Sequence, residues 1–127
     1  MITVNELRIG NYLSDKKGRL CKVEFISPEE YRAYAIVGGS TSLPNEKILL
    51  TKEWARDLGF TVTDLGDFWE FEKNGFILIQ LKIPITGKEL PPFYILHSKK
   101  SQHIKIHHVH KLQNLYFEIK DEELTLN

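Results

Sequence analysis

The chain has 127 residues, 42% hydrophobic, 11% aromatic and 27% charged, too apolar for a disordered tail and sized for a single domain spanning residues 1–127. Lys plus Arg number 17 and Asp plus Glu number 17, so no net field draws the whole molecule to nucleic acid, anionic membrane or acidic substrate; an electrostatic partner must meet a local patch. One cysteine, Cys21, excludes an intramolecular disulfide, and no apolar run approaches the ~20 residues of a membrane helix.

In chain order, the start Met1-Ile2-Thr3-Val4-Asn5-Glu6 lacks a basic stretch leading into an apolar one, which favours a cytoplasmic location. Three short strands follow, over residues 8–13, 19–26 and 31–37, separated by the turns Ser14-Asp15-Lys16-Lys17-Gly18 and Ser27-Pro28. They predict a small, curved, barrel-like antiparallel meander. Cys21 sits in its alternating run Leu20-Cys21-Lys22-Val23 as a small buried hydrophobe. Residues 38–46 read as a loop, and Gly38-Gly39-Ser40 lacks the Gly-Lys-Ser/Thr ending that a phosphate-cradling loop requires. Thr51 can cap a central helix that has Glu53 in its first turn, Gly59 as its stop, and Trp54 and Leu58 as its buried stripe.

Asn74-Gly75 marks a hairpin. A two-residue loop would pair Phe71 with Leu78 and Glu70 with Ile79. A three-residue loop over Lys73-Asn74-Gly75 pairs Phe71 with Ile77 and Trp69 with Ile79, and is preferred for its single clean apolar face. Strands are expected at 93–97 and 104–108, then a helix over 109–120 with Val109, Leu112, Leu115, Tyr116 and Ile119 on one side. The fold class is therefore α+β: a curved antiparallel sheet with two helices, one central and one C-terminal.

All five histidines are late: His97, His103, His107, His108 and His110. Their spacing matches no zinc signature, and a solvated strand face explains His103, Lys105 and His107, so neither a metal nor a cofactor is expected. Residues 90–117 hold no Asp or Glu while carrying Lys99, Lys100, Lys105, Lys111 and the histidines beside Phe93 and Tyr94. Segment 97–111 is thus the candidate nucleic-acid surface, although it contains no Arg. On the last helix His110, Gln113, Asn114 and Phe117 share a flank, a polar ledge that with Lys105 and Lys111 forms the candidate binding surface. No nucleophile or orienting carboxylate is placed beside His110, and Glu70 with Glu72 reads as a solvated edge, so binding is favoured over catalysis.

Three stretches, Asn5-Glu6-Leu7-Arg8-Ile9-Gly10-Asn11, Leu50-Thr51 through Glu53-Trp54 to Leu58-Gly59-Phe60, and Val109-His110 with Leu112-Gln113-Asn114-Leu115-Tyr116-Phe117, resemble a group of short uncharacterised proteins of gut anaerobic bacteria and their phages or mobile elements. Departures are mild: Leu49 stands where a proline often precedes Leu50, and Asp121 where a glycine often precedes Glu122. The resemblance implies a genomic setting and a shared fold, with no assigned activity or cofactor. The expected function is a small non-enzymatic binding or accessory protein with a protein partner and no membrane association. The alternatives are nucleic-acid binding through 97–111 and a small metal-dependent hydrolase built on the histidines.

Overall fold

The computed structural model describes residues 2–15, 17–36, 46–82, 93–95 and 104–126. They form two compact units, one drawn from residues 1–49 and 108–123, the other from 50–107 and 124–127. The architecture is α+β, with two helices and two antiparallel sheets, neither of which closes into a barrel.

In the first unit, strands β1 (Tyr12–Ser14), β2 (Leu20–Ile26) and β3 (Tyr31–Ala35) form a meander in that order. Register places Leu13 opposite Cys21 and Cys21 opposite Ala35, with Val23 opposite Ala33. These residues and Leu7 make a small core against which Ile2, Ile26 and Tyr31 pack; Cys21 is indeed a buried hydrophobe there, and burial pushes its thiol up. The expected strand over 8–13 is mostly absent. Val4–Glu6 is a turn of 3-10 helix, Gly10 takes φ +98°, and the Arg8 N–H donates to Asn11 Oδ1 at 2.7 Å. An Asn side chain that bonds its neighbouring backbone competes with a strand ladder; Gly10 and Asn11 still bond Val23 through their backbone, but the regular strand begins at Tyr12.

Helix α2 (Val109–Lys120) belongs to the same unit and has the predicted bounds. Val109, Leu112 and Tyr116 are buried as expected, but His110 and Gln113 join them, while Ile119 is 45% exposed. The buried stripe is therefore rotated toward the polar flank.

In the second unit, α1 (Lys52–Asp57) starts where Thr51 Oγ1 accepts from the Trp54 N–H at 3.1 Å. Gly59, at φ +100°, ends it. Ala55 is its buried residue, Leu58 at its C-cap is buried as expected, and Trp54 is half-buried. Strands β4 (Thr61–Asp64), β5 (Phe68–Lys73), β6 (Phe76–Leu81), β7 (Phe93–Ile95) and β8 (Ile104–Ile106) follow as a second meander; β4 had no counterpart in the sequence reading.

The β5–β6 hairpin has the two-residue loop, correcting the expected register: Phe71 lies opposite Leu78, Glu70 opposite Ile79, and Lys73 opposite Phe76. Asn74 at φ +51° and Gly75 at φ +83° supply the two left-handed residues of a primed turn, whose twist matches the flanking strands. One face then carries Trp69, Phe71, Phe76, Leu78, Gln80, Phe93, Ile95 and Ile106, mostly buried. The other mixes Glu70 and Glu72 with half-buried Ile77 and Ile79. Turn chemistry outweighs the cleanliness of that second face, where carboxylate stems can lie beside isoleucine without losing water.

Candidate functional site

The ledge on α2 is occupied by the chain's own N-terminal segment. Segment 5–11 runs into β1 with only part of its backbone on the sheet, the Gly10 N–H donating to the Val23 carbonyl and the Asn11 carbonyl accepting from the Val23 N–H, so its remaining groups need other partners. The α2 amides supply them: Gln113 Oε1 accepts from the Tyr12 N–H at 2.8 Å, and Gln113 Nε2 donates to the Gly10 carbonyl at 3.0 Å. Asn114 Nδ2 donates to the Glu6 carbonyl at 2.9 Å, while Asn114 Oδ1 accepts from Asn11 Nδ2 at 2.8 Å. A carboxamide carries its donor and acceptor on separate atoms, so Gln113 bridges two backbone groups and Asn114 bridges the Glu6 carbonyl and the Asn11 side chain.

His110 and Phe117 extend the same seam. His110 Nε2 lies 2.9 Å from Glu6 Oε1, and Lys47 Nζ lies 3.2 Å from the same oxygen. Thr3 donates to Glu6 Oε2 through both its N–H and its hydroxyl. Burial would raise the Glu6 carboxyl, but the hydrogen bonds from His110, Lys47 and Thr3 outweigh it and hold the group at about 2. Burial pushes the His110 imidazole below its ordinary value against the opposing pull of Glu6. The ring is thus neutral at pH 7 and donates from Nε2, leaving Nδ1 as a buried acceptor without a hydrogen-bond partner. At the outer end the Arg8 guanidinium stacks 3.7 Å from the Phe117 centroid and pairs with Glu123 at 2.6 Å.

The sequence reading expects these side chains to face solvent. Instead His110 and Gln113 are fully buried, Asn114 and Phe117 are half-buried, and all four meet residues 6–12 or their neighbours. Of the predicted site only Lys105 and Lys111 are exposed. Lys105 lies opposite Tyr94 and in the same row as Ile79 and Glu70, so the face it shares also carries carboxylates. His97, His103, Lys99 and Lys100 fall outside the described residues. Among the described residues no three His, Cys, Asp or Glu side chains converge as a metal site, and no helix is long and apolar enough to cross a membrane.

Two surfaces escaped the sequence reading. On the three-stranded sheet, Lys22 lies opposite Tyr34 and Phe25 opposite Arg32, with a register shift between Val23 and Phe25. This face is turned away from the Cys21–Ala33–Ala35 core and leaves Phe25 45%, Tyr34 40% and Ile36 52% exposed. The Arg32 guanidinium lies 5.6 Å from the Phe25 ring. Alternation along 31–36 was the available signal, and it is plain once Ala33 and Ala35 are taken as the buried set. The second surface, around Trp69 in the five-stranded unit, depends on the true hairpin register. Comparison with known proteins offers no relative to read these surfaces against: no family model, no curated protein and no solved structure matches the chain.

Proposed function

We propose that the chain is a small non-enzymatic binding protein, acting in the cytoplasm on a protein partner, of the accessory kind found with phages or mobile elements. The last element rests on the resemblance of segments 5–11, 50–60 and 109–117. The carrying observation is the β2–β3 part of the outer sheet face, where Phe25, Tyr34 and Ile36 are exposed around Arg32 and the half-buried Lys22, while Tyr12, opposite Lys22 on β1, is buried. Single exposed hydrophobes are ordinary, whereas neighbours in register form a patch. Aromatics with Arg are the residues that dominate binding energy at protein interfaces. The His110–Glu6 pair, the best acid–base candidate by chemistry, lends no support to catalysis because it is spent on holding the N-terminal segment.

The test is capture with tagged protein from lysate of the native host, at low and high salt, comparing wild type with a Phe25→Ala, Tyr34→Ala double variant. A stoichiometric protein retained by wild type at both salts and lost with the variant supports the reading. A captured protein indifferent to the double variant refutes it. A second reading has its own observation: two aromatics beside Arg32 and Lys22 on an open sheet face can stack bases and neutralise phosphates. It requires single-stranded oligonucleotide binding that weakens steeply with salt.

A further inference from the structure

In the first unit, His110 is placed so that its two protonation states are unequally served. The ring is fully buried. Nε2 lies 2.9 Å from the Glu6 carboxylate, whereas Nδ1 is buried with no hydrogen-bond partner. A neutral ring leaves one weak acceptor unmet. A protonated ring would bury an unmet N–H on a charged group, which costs more.

The charges around the ring widen the difference. Among the described residues Glu6 is the one carboxylate that faces it, and Glu6 already accepts from Lys47 at 3.2 Å and from the Thr3 N–H and hydroxyl. On the helix side the His108 ring stands 5.9 Å away, and both His108 and Lys111 oppose a charge on His110. One shared anion therefore stands against Lys47, Lys111 and His108.

What the ring helps to hold is the N-terminal segment. The other ties of that segment to α2 are the amide hydrogen bonds of Gln113 and Asn114 and the Arg8–Glu123 pair. Within residues 2–11 Leu7 is the only buried apolar side chain. A stretch with one apolar anchor and mostly polar ties is the kind that opens as a unit below the threshold of global unfolding.

We propose that His110 is an acid-sensitive latch, whose protonation releases residues 2–11 from α2 and bares the Gln113 and Asn114 amides while β2 and β3 stay paired. The open ring titrates at its ordinary 6.5 and the buried ring below it, so the proton prefers the open form and acid raises the opening equilibrium. Between pH 7.5 and 5 the charging of the open ring limits that rise to about 30-fold. Glu6 contributes little in this window, because its ordinary 4.5 and its folded value of about 2 both lie below it. The latch is independent of the β2–β3 patch.

The experiment is amide hydrogen exchange of the intact chain, read by NMR at pH 7.5, 6.5 and 5 and corrected for intrinsic rates, beside a titration of the His110 ring signals. The Gly10 and Tyr12 amides are expected to exchange at least about tenfold faster than those between β2 and β3 at each pH, the mark of a sub-global opening. Their protection should fall about three- to 30-fold toward pH 5. His110→Gln, which keeps a donor for Glu6 and cannot charge, should hold that protection level, and His108→Gln should leave the wild-type pH dependence in place. Gly10 and Tyr12 amides that exchange only as fast as those of β2 and β3, protection unchanged by acid, a dependence that survives His110→Gln, or one that vanishes in His108→Gln would each overturn the proposal. Should His110→Gln not fold, the wild-type ring decides: titration at or above 6.5 overturns the latch and titration below it supports it.

Discussion

Gln113→Ala is the most incisive perturbation of the first unit. The side chain is fully buried and satisfies two backbone groups of a segment with little regular structure, the Tyr12 N–H and the Gly10 carbonyl. Truncation removes two hydrogen bonds of about 1 kcal/mol each and leaves the Tyr12 donor buried without this acceptor, which adds about 1–3 kcal/mol. The expected loss is about 3–5 kcal/mol, a large share of the roughly 5–15 kcal/mol that stabilises a domain. Urea denaturation followed by tryptophan fluorescence and circular dichroism measures it. Gln113→Glu separates hydrogen bonding from shape. One carboxyl oxygen can still accept from Tyr12, but the other faces the Gly10 carbonyl oxygen and needs a proton to be tolerated. That variant should be strongly destabilised at pH 8 and recover relative to wild type as pH falls toward 5. A Gln113→Ala loss under 1 kcal/mol, or a Gln113→Glu variant as stable as wild type at pH 8, would show that the amide does not hold the segment.

Acid should weaken the same seam in two stages of one sign. His110 titrates below its ordinary 6.5 when folded, so the folded state resists its protonation and stability falls as pH drops below that value. Glu6, held at about 2 against its ordinary 4.5, contributes stability that is complete above 4.5 and is lost between 4.5 and 2. With solvent contact discounted, that contribution is on the order of 1–2 kcal/mol. Urea midpoints at pH 7.5, 5.5 and 3.5 should decline in turn, and Glu6→Gln should flatten the acidic limb; a midpoint that rises on acidification contradicts the arrangement. Asp121 caps α2 in the left-handed conformation, φ +58° and ψ +31°, where a side chain costs about 1 kcal/mol that glycine avoids. Asp121→Gly should raise stability by about 0.5–1 kcal/mol in thermal unfolding, and a loss of stability would mean that the Asp121 carboxylate does something the cap geometry omits.

What could be read from the sequence was whatever local chemistry decides. Helix α2 has its predicted ends because the 3.6-residue period runs unbroken through 109–120, and α1 starts at Thr51 and stops at Gly59 because a hydroxyl cap and a left-handed residue leave few alternatives. Helical spacing puts the ledge residues on one flank, and the structure turns that flank toward the N-terminal segment. A helix flank bearing His110, Gln113 and Asn114 has the same pattern whether water or another segment satisfies it. The information that separates the two lies about 100 residues away, in a stretch around Gly10 and Asn11 whose backbone bonds the sheet only at Val23 and leaves the Gly10 carbonyl to the Gln113 amide. An irregular glycine-containing segment and an amide-rich helix flank in one chain are complementary in hydrogen bonding, and that complementarity was the available clue. The hairpin shows the reverse failure. Choosing register by the tidiest apolar face set Trp69 opposite Ile79, whereas Asn74-Gly75, which supplies both left-handed residues of a two-residue primed turn, sets Trp69 opposite Gln80. Where a short turn motif and a face-pattern argument disagree, the turn should decide. A register shift of one residue re-aims every side chain, and a mixed half-buried face costs far less than a turn forced into the wrong twist.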